Sequence, residues 1–209
     1  MFGKHQFYVL NNAIDAKRYR FSADRAEREK KALNISNEFV IGHIGRFYPQ
    51  KNHKFLIEIF RELVKIESDA KLFLVGTGPD RELIREKVKE YHLENKVVFM
   101  GSREDIPEIL QAIDVFVFPS LYEGLGIAAV EAQAAGIPCI LSDQVPVECR
   151  MTQNVEFLSL KKSPKCWAES IIKYKNRVHL DNYTEICKSG YDIKENAKKL
   201  QMFYQNGSY

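Results

Sequence analysis

The sequence is poor in the features that would place it in several broad classes. Its four cysteines, Cys139, Cys149, Cys166 and Cys187, form no C-x-x-C pair and no His/Cys cluster at metal-ligand spacing. That argues against a zinc module, and no metal site is expected. A chain of 209 residues can hold its core without disulfides, so a reduced, cytoplasmic setting is the expectation. No apolar run approaches the ~20 residues that cross a bilayer, and the start Met1-Phe2-Gly3-Lys4-His5-Gln6 lacks the apolar core of a signal peptide. Basic residues exceed acidic ones by three, 31 against 28; no overall field therefore argues for nucleic acid. Gly/Ser linkers, low-complexity stretches and internal repeats are also lacking, and a single domain over 1–209 is expected.

What is present is alternation. After an apolar stretch at 7–10, strand-like runs at 39–44, 72–75, 97–100, 115–118, 139–141 and 155–158 alternate with helical patterns. Unbroken apolar runs separated by helices are the signature of a parallel sheet covered on both faces, a Rossmann-like α/β fold. Asn52 is placed to cap a helix whose apolar positions Phe55, Leu56, Ile59, Phe60 and Leu63 share a face. Pro79 suits a first helical position before Leu83, Ile84, Val88 and Tyr91. From about 161 the pattern is helical only, with Trp167, Ile171 and Ile172 in one helix and Ile193, Ala197, Leu200 and Phe203 in the last. This stretch, 161–209, reads as a helical tail on the sheet. The basic stretch 22–31, with Arg25, Arg28, Lys30 and Lys31, reads as a solvated face, with an anionic membrane surface as the alternative.

In an open parallel sheet ligands sit beyond the carboxyl ends of the strands, so the residues just after each apolar run are the candidates. After the first strand come Gly45 and Arg46, then Lys51; the two cations can converge on an anion, with a diphosphate the natural guest. Gly76 and Gly78 follow the second strand, but Arg81 occupies the place of the third glycine of a dinucleotide fingerprint. A tight structural turn is an equal reading there. Gly101, Ser102 and Arg103 follow the third strand, where exposed backbone groups can pair with a flat base edge, or simply form a loop. After the fourth strand the chain reads Glu123-Gly124-Leu125-Gly126-Ile127 and enters an alanine-rich helix carrying Glu131. The amides of Gly124, Leu125, Gly126 and Ile127 at that helix start can bind phosphate or sugar oxygens. Two carboxylates placed as Glu123 and Glu131 can each accept a pair of vicinal hydroxyls, one set on a ribose and one on a hexose.

The pair Glu123 and Glu131, inside Glu-Gly-Leu-Gly-Ile-Ala-Ala-Val-Glu-Ala-Gln-Ala-Ala-Gly-Ile-Pro, resembles the E-x7-E segment of retaining, metal-independent family 4 glycosyltransferases of the GT-B fold. The resemblance extends over Gly45-Arg46 with Lys51, Gly76-Thr77-Gly78-Pro79, Phe99-Met100-Gly101, Asp114-Val115-Phe116-Val117-Phe118-Pro119-Ser120, and the closing Gly190-Tyr191-Asp192-Ile193 with Asn196. It is similar to bacterial capsular and exopolysaccharide members, and departs from the family at Asn11-Asn12-Ala13-Ile14-Asp15, where Pro-Asn-Gly-Ile-Asp is usual, and at Thr77, where an acidic residue is common.

By that resemblance the chain is the donor-binding half of a GT-B enzyme. Arg46 and Lys51 would hold the donor diphosphate, Glu131 the ribose hydroxyls and Glu123 the sugar's 3- and 4-hydroxyls. Gly124, Leu125, Gly126 and Ile127 would supply amides, and the base would lie near Gly101, Ser102 and Arg103. The implied reaction moves a sugar from a nucleoside diphosphate donor, a UDP-sugar by preference, to a glycan or lipid-linked acceptor. Arg46, Lys51 and Glu123 would be the catalytic set, and no cofactor or metal would be required. The resemblance implies a separate N-terminal acceptor domain, little activity for this half alone, and in the full-length form a place at the inner face of the plasma membrane. A non-catalytic nucleotide-binding module and a GT-B nucleotide-sugar epimerase stand as alternatives.

Overall fold

In the computed structural model, which describes residues 10–206, the apolar runs become six parallel strands. They are β1 (Phe39–Ile44), β2 (Ala70–Val75), β3 (Val97–Gly101), β4 (Val115–Phe118), β5 (Cys139–Ser142) and β6 (Val155–Leu158), in the spatial order β3-β2-β1-β4-β5-β6. Expected strands and observed ones agree within two residues at every end. The apolar stretch at 7–10 lies outside the described residues except for Leu10, which is exposed. The helices are α1 (Ala16–Tyr19), α2 (Ala23–Ala32), α3 (His53–Ile66), α4 (Arg81–Glu90), α5 (Ile106–Gln111), α6 (Ile127–Ala134), α7 (Pro164–Ile172), α8 (Tyr183–Lys188) and α9 (Ile193–Asn206). Among the described residues no helix is long and apolar enough to cross a membrane.

Side chains alternate across the sheet, so each strand feeds two cores. Ile41, Leu72, Leu74, Val115, Val117 and Ile140 face a layer containing Leu56, Phe60, Leu63, Ile84 and Trp167 of α3, α4 and α7. Val40, Phe73, Val75, Phe116, Phe118 and Leu141 face Ile109, Ala129 and Val130 of α5 and α6. A buried Leu, Ile or Phe stabilises by about 1.5–3 kcal/mol, so both layers are held firmly to the sheet. The cations of α2 are engaged within the chain: Arg25 pairs with Glu108 at 3.0 Å, Lys30 with Asp114 at 3.2 Å and Lys31 with Glu27 at 2.8 Å, while Arg28 donates to the carbonyl of Asp24 at 3.2 Å.

Three expectations are corrected. Asn52 stands at the start of α3, but it is left-handed (φ 54°) and its side chain does not cap the helix. Its Nδ2 donates instead to the Pro119 carbonyl at 3.1 Å, across to the loop after β4. Pro79 is not the first residue of α4, which begins at Arg81 with Asp80 at its cap position. The Asp80 amide donates to the Phe47 carbonyl at 3.1 Å, so this turn is spent docking on the loop after β1 before the helix can start. The tail does not lie wholly on the sheet either. Trp167, Ala168 and Ile171 of α7 are buried against α3, whereas Ile193, Ala197, Leu200 and Phe203 of α9 are exposed.

The end of the chain meets its beginning. Ile14 pairs with Asp192 in an isolated parallel bridge, the Ile14 amide donates to the Tyr191 carbonyl and the Ile193 amide to the Ile14 carbonyl, both at 2.9 Å. Asn196 Nδ2 donates to the Asn11 carbonyl at 3.2 Å. The segment 11–15, one of the family departures, is thereby tied to the start of α9.

Candidate functional site

From β1 the chain proceeds to β2 and β3 on one side, while β4, β5 and β6 lie on the other. The boundary between β1 and β4 is therefore the switch point, where the loops after the two strands lead to opposite faces and leave a crevice. A cleft of ≈ 1000 Å³ opens there, a size suited to a ligand larger than a simple metabolite. Of the expected residues it is lined by Gly45, Arg46, Lys51, Glu123, Leu125, Gly126, Ile127 and Glu131.

The two loops are stitched together so that distant residues meet. The Leu121 amide donates to the Gln50 carbonyl at 2.8 Å, and Gln50 Nε2 donates to the Tyr122 carbonyl at 2.9 Å. With the Asn52 bond, these contacts bring Lys51 Nζ to 2.6 Å from Glu123 Oε1. Both side chains are largely buried, 18% and 7% exposed, and Lys51 Nζ also stands 4.5 Å from the centre of the Phe118 ring. A buried ion pair of this kind is costly to break from one side only. Arg46 differs. Among the described residues no carboxylate pairs with it, and its guanidinium rests 5.5 Å from the Tyr48 ring centre. Of the two cations lining the cleft, it is the one without a carboxylate partner.

Opposite, Gly126 holds the cap position of α6 in the left-handed region (φ 84°) that favours glycine. The first amides of a helix have no intrahelical partner, so Gly126 and Ile127 bring unsatisfied donors to the cleft wall. The pose of α6 is fixed by buried Gln133: its Nε2 donates to the Ala129 and Cys149 carbonyls at 3.0 and 2.8 Å, and its Oε1 accepts from the Met151 and Thr152 amides at 2.9 and 3.1 Å. Glu131, one turn into α6, accepts a hydrogen bond from Tyr19 Oη at 2.6 Å. Burial holds its carboxyl above the ordinary carboxylate pKa, and the Tyr19 bond opposes that rise.

Below the cation loop lies a buried histidine pair. His43 Nδ1 donates to the Val117 carbonyl at 2.9 Å, and its ring meets that of His53 edge-on with centres 4.7 Å apart. Burial depresses their pKa values to about 4 and about 2, so both are neutral and add no charge to the cleft. His43 backs Gly45, where a Cβ would stand 3.2 Å from its Nε2.

The remaining expected residues, Gly76, Gly78, Gly101, Ser102, Arg103 and Gly124, do not line the cleft. Gly76 has φ 138°, and a Cβ there would fall 2.1 Å from the Gly45 carbonyl oxygen; one on Gly78 would fall 2.5 Å from that of Phe47. These glycines permit backbone to press on backbone. The Gly76 amide in turn donates to the Gly101 carbonyl at 2.8 Å, so the β2 and β3 loops form a buttress behind Gly45 and Arg46. Arg103 is paired with Asp105, its Nε donating at 2.7 Å. Sequence reasoning gave no role to Asn12, Ala13, Tyr48, Gln50 and Tyr122, which also line the cleft, nor to Tyr19 behind it. Tyr48 and Tyr122 are exposed aromatics inside the very loops singled out, and that signal was readable. Among the described residues no group of three His, Cys, Asp or Glu side chains is placed to hold a metal.

Comparison with known proteins points in one direction. The family described as glycosyl transferases group 1 matches residues 24–200. The putative glycosyltransferase EpsF of Bacillus subtilis is 35% identical over 206 residues, covering 96% of this chain and 54% of that protein. The UDP-Gal:alpha-D-GlcNAc-diphosphoundecaprenol alpha-1,3-galactosyltransferase of Escherichia coli is 28% identical, with 94% and 53% covered. The chain thus spans about half the length of these curated relatives. Among solved structures, Anabaena Alr3699/HepE in complex with UDP-glucose superposes with a TM-score of 0.77 at 23% identity, covering 93% of this chain and 57% of that one. The C-terminal domain of the group 1 glycosyl transferase LpcC from Francisella tularensis superposes at 0.71 and 21% identity, covering 84% and 97%. At such identities the likeness speaks for the fold.

Proposed function

We infer the function from the premise that this chain belongs to the glycosyl transferases group 1 family: the cleft binds a nucleoside diphosphate sugar and serves transfer of that sugar to an acceptor hydroxyl in polysaccharide synthesis. The observation that carries this reading is the Lys51–Glu123 contact at 2.6 Å at the switch point, beside unpaired Arg46. In the reaction the bond from the anomeric carbon to the β-phosphate oxygen breaks, the acceptor oxygen takes its place with retention, and the acceptor proton leaves to the departing diphosphate. Negative charge grows on that diphosphate. Arg46 and Lys51 stabilise it, along with the helix-start amides of Gly126 and Ile127, doing electrostatically what a metal ion does in other transferases. Glu123 accepts the sugar hydroxyls, and Glu131 the ribose hydroxyls. The base extends past Gly45 toward Gly101, Ser102 and Arg103 at the edge of the buttress.

A UDP-sugar is the proposed donor. This choice is supported by the UDP-glucose bound by Alr3699/HepE and the UDP-Gal named for the Escherichia coli relative. That relative's name also supports a lipid-linked or glycan acceptor. The acceptor side is assigned to a second domain of the kind that the other half of the curated relatives has room for. On this reading the present chain binds donor and turns over little of it alone.

Calorimetric titration with UDP, GDP and a panel of their sugars tests the reading. One diphosphate should bind, and Arg46→Ala and Glu131→Ala should each abolish or greatly weaken it. Binding that neither substitution disturbs would move the site elsewhere and sink the proposal.

A further inference from the structure

Glu131 has a partner that its role as a ribose acceptor does not explain. Tyr19 lies 112 positions away in sequence, yet its hydroxyl donates to Glu131 Oε1 at 2.6 Å. Tyr19 is not among the cleft-lining residues, whereas Glu131 is, so the hydroxyl reaches the carboxylate from behind the cleft wall. The carboxylate is largely buried, and a buried charge is costly unless hydrogen bonds satisfy it.

The short helix that carries Tyr19 is held from several sides. Asp15 Oδ1 caps α1 by accepting from the Arg18 amide at 3.3 Å. The Tyr19 carbonyl accepts from Gln111 Nε2 at 3.2 Å, and Gln111 Oε1 accepts from the Ser22 amide at 2.9 Å. Arg25 Nη1 donates to the carbonyls of Arg18 and Arg20 at 3.0 and 3.3 Å, on either side of Tyr19. A four-residue helix has no stability of its own, so these bonds are what place the phenol. Gln111 is fully buried at the end of α5 and is spent on this one turn and on the Pro107 carbonyl at 3.1 Å.

We propose that Tyr19 is a positioning residue for nucleoside recognition: its hydroxyl fixes the Glu131 carboxylate so that the remaining acceptor positions, Oε2 above all, face the two ribose hydroxyls of the donor. The inference rests on the donor-binding reading of the cleft. It adds a residue that touches neither substrate nor reacting atoms and acts only through Glu131. Without the phenol the carboxylate is free to rotate, and ribose recognition loses its fixed geometry.

The test compares UDP with 2′,3′-dideoxy-UDP, which lacks both hydroxyls, on the full chain. In the unsubstituted protein UDP should bind better than the dideoxy analogue. Tyr19→Phe keeps the ring and its packing, and should weaken UDP by about tenfold while leaving dideoxy-UDP unchanged within a factor of about two. In a Glu131→Ala background, Tyr19→Phe should cost no further affinity. A general structural role would weaken both ligands together, or add its loss to that of Glu131→Ala, and either result overturns the proposal. Tyr19→Phe with undiminished UDP binding overturns it too. If the unsubstituted protein did not distinguish the two ligands, the Glu131–ribose reading would fall and this one with it. A failure confined to the Tyr19 variants would leave the donor site standing.

Discussion

The loops after β1 and β4 carry glycine and face a cleft, whereas the loop after β2 carries glycine and faces other backbone. All three follow buried parallel strands, and all three look alike as strand, glycine, turn. The difference lies in neighbours. β1 and β4 sit side by side at the switch point and send their chains to opposite faces; β2 sits to one side and sends its chain against the loop after β1. A glycine at a strand end thus reports a constraint on the chain, and sheet position decides whether a ligand or another peptide occupies the space.

The sharpest way to break that comparison is Gly76→Ala. A Cβ would meet the Gly45 carbonyl oxygen at 2.1 Å, and φ 138° is unfavourable for alanine. Denaturant unfolding should show a loss of about 3–5 kcal/mol; a loss below about 1 kcal/mol would mean the buttress is soft. Arg46→Ala should do the converse, lowering UDP affinity by about a hundredfold, or about 2.7 kcal/mol, with the thermal midpoint unmoved. Glu123→Gln should fall between them. It leaves Lys51 without its charge partner, and about 2 kcal/mol of stability should go. The advantage of UDP-sugar over UDP should shrink, since Glu123 is assigned to the sugar hydroxyls that bare UDP lacks. Gly124→Ala, where a Cβ would meet nothing within 4 Å, should stay within about 0.5 kcal/mol of the original protein.

The smallest expected effect concerns pH. Burial raises the Glu131 pKa above the ordinary value of 4.5, so the folded chain holds this proton more tightly than the unfolded chain. Its contribution to stability is therefore greatest below pH 4.5 and is lost as pH rises through the raised folded value. Glu131→Gln should remove that loss and raise the thermal midpoint at neutral pH, while ribose recognition disappears. A midpoint that stayed equal or fell at pH 7 would show that the ionised carboxylate is not a burden to the fold.

Strand positions were legible because burial on both faces writes itself as near-continuous apolar runs, and 39–44 and 115–118 agree at both ends; 155–158, at the sheet edge, agrees too although Glu156 interrupts it. The charge pair was half legible: Lys51 and Glu123 stood out at strand ends, but their direct contact depends on Gln50 and Asn52 reaching across to 119–122. Asn52 misled because its residue type suits a cap, whereas its left-handed backbone and the Nδ2 bond to the Pro119 carbonyl hold the side chain to the neighbouring loop. Tyr19 was not legible, since nothing local to Ala16–Tyr19 mentions a carboxylate 112 residues on. The apolar spacing on α9 is genuinely helical, yet Ile193 and Leu200 are exposed; periodicity reports a face and says nothing of what covers it.

The pairing of Ile14 with Asp192 has a consequence in time. Asn12 and Ala13, on the cleft rim, leave the ribosome before β1, but the bonds from Tyr191, Ile193 and Asn196 that hold their segment belong to residues made after the whole sheet. Synthesis runs from the N-terminus at roughly 5–20 residues per second, so the sheet, the cation loop and α6 can assemble while the rim still waits. The nascent chain therefore closes its cation loop before its complete cleft, and the rim settles only once α9 has begun.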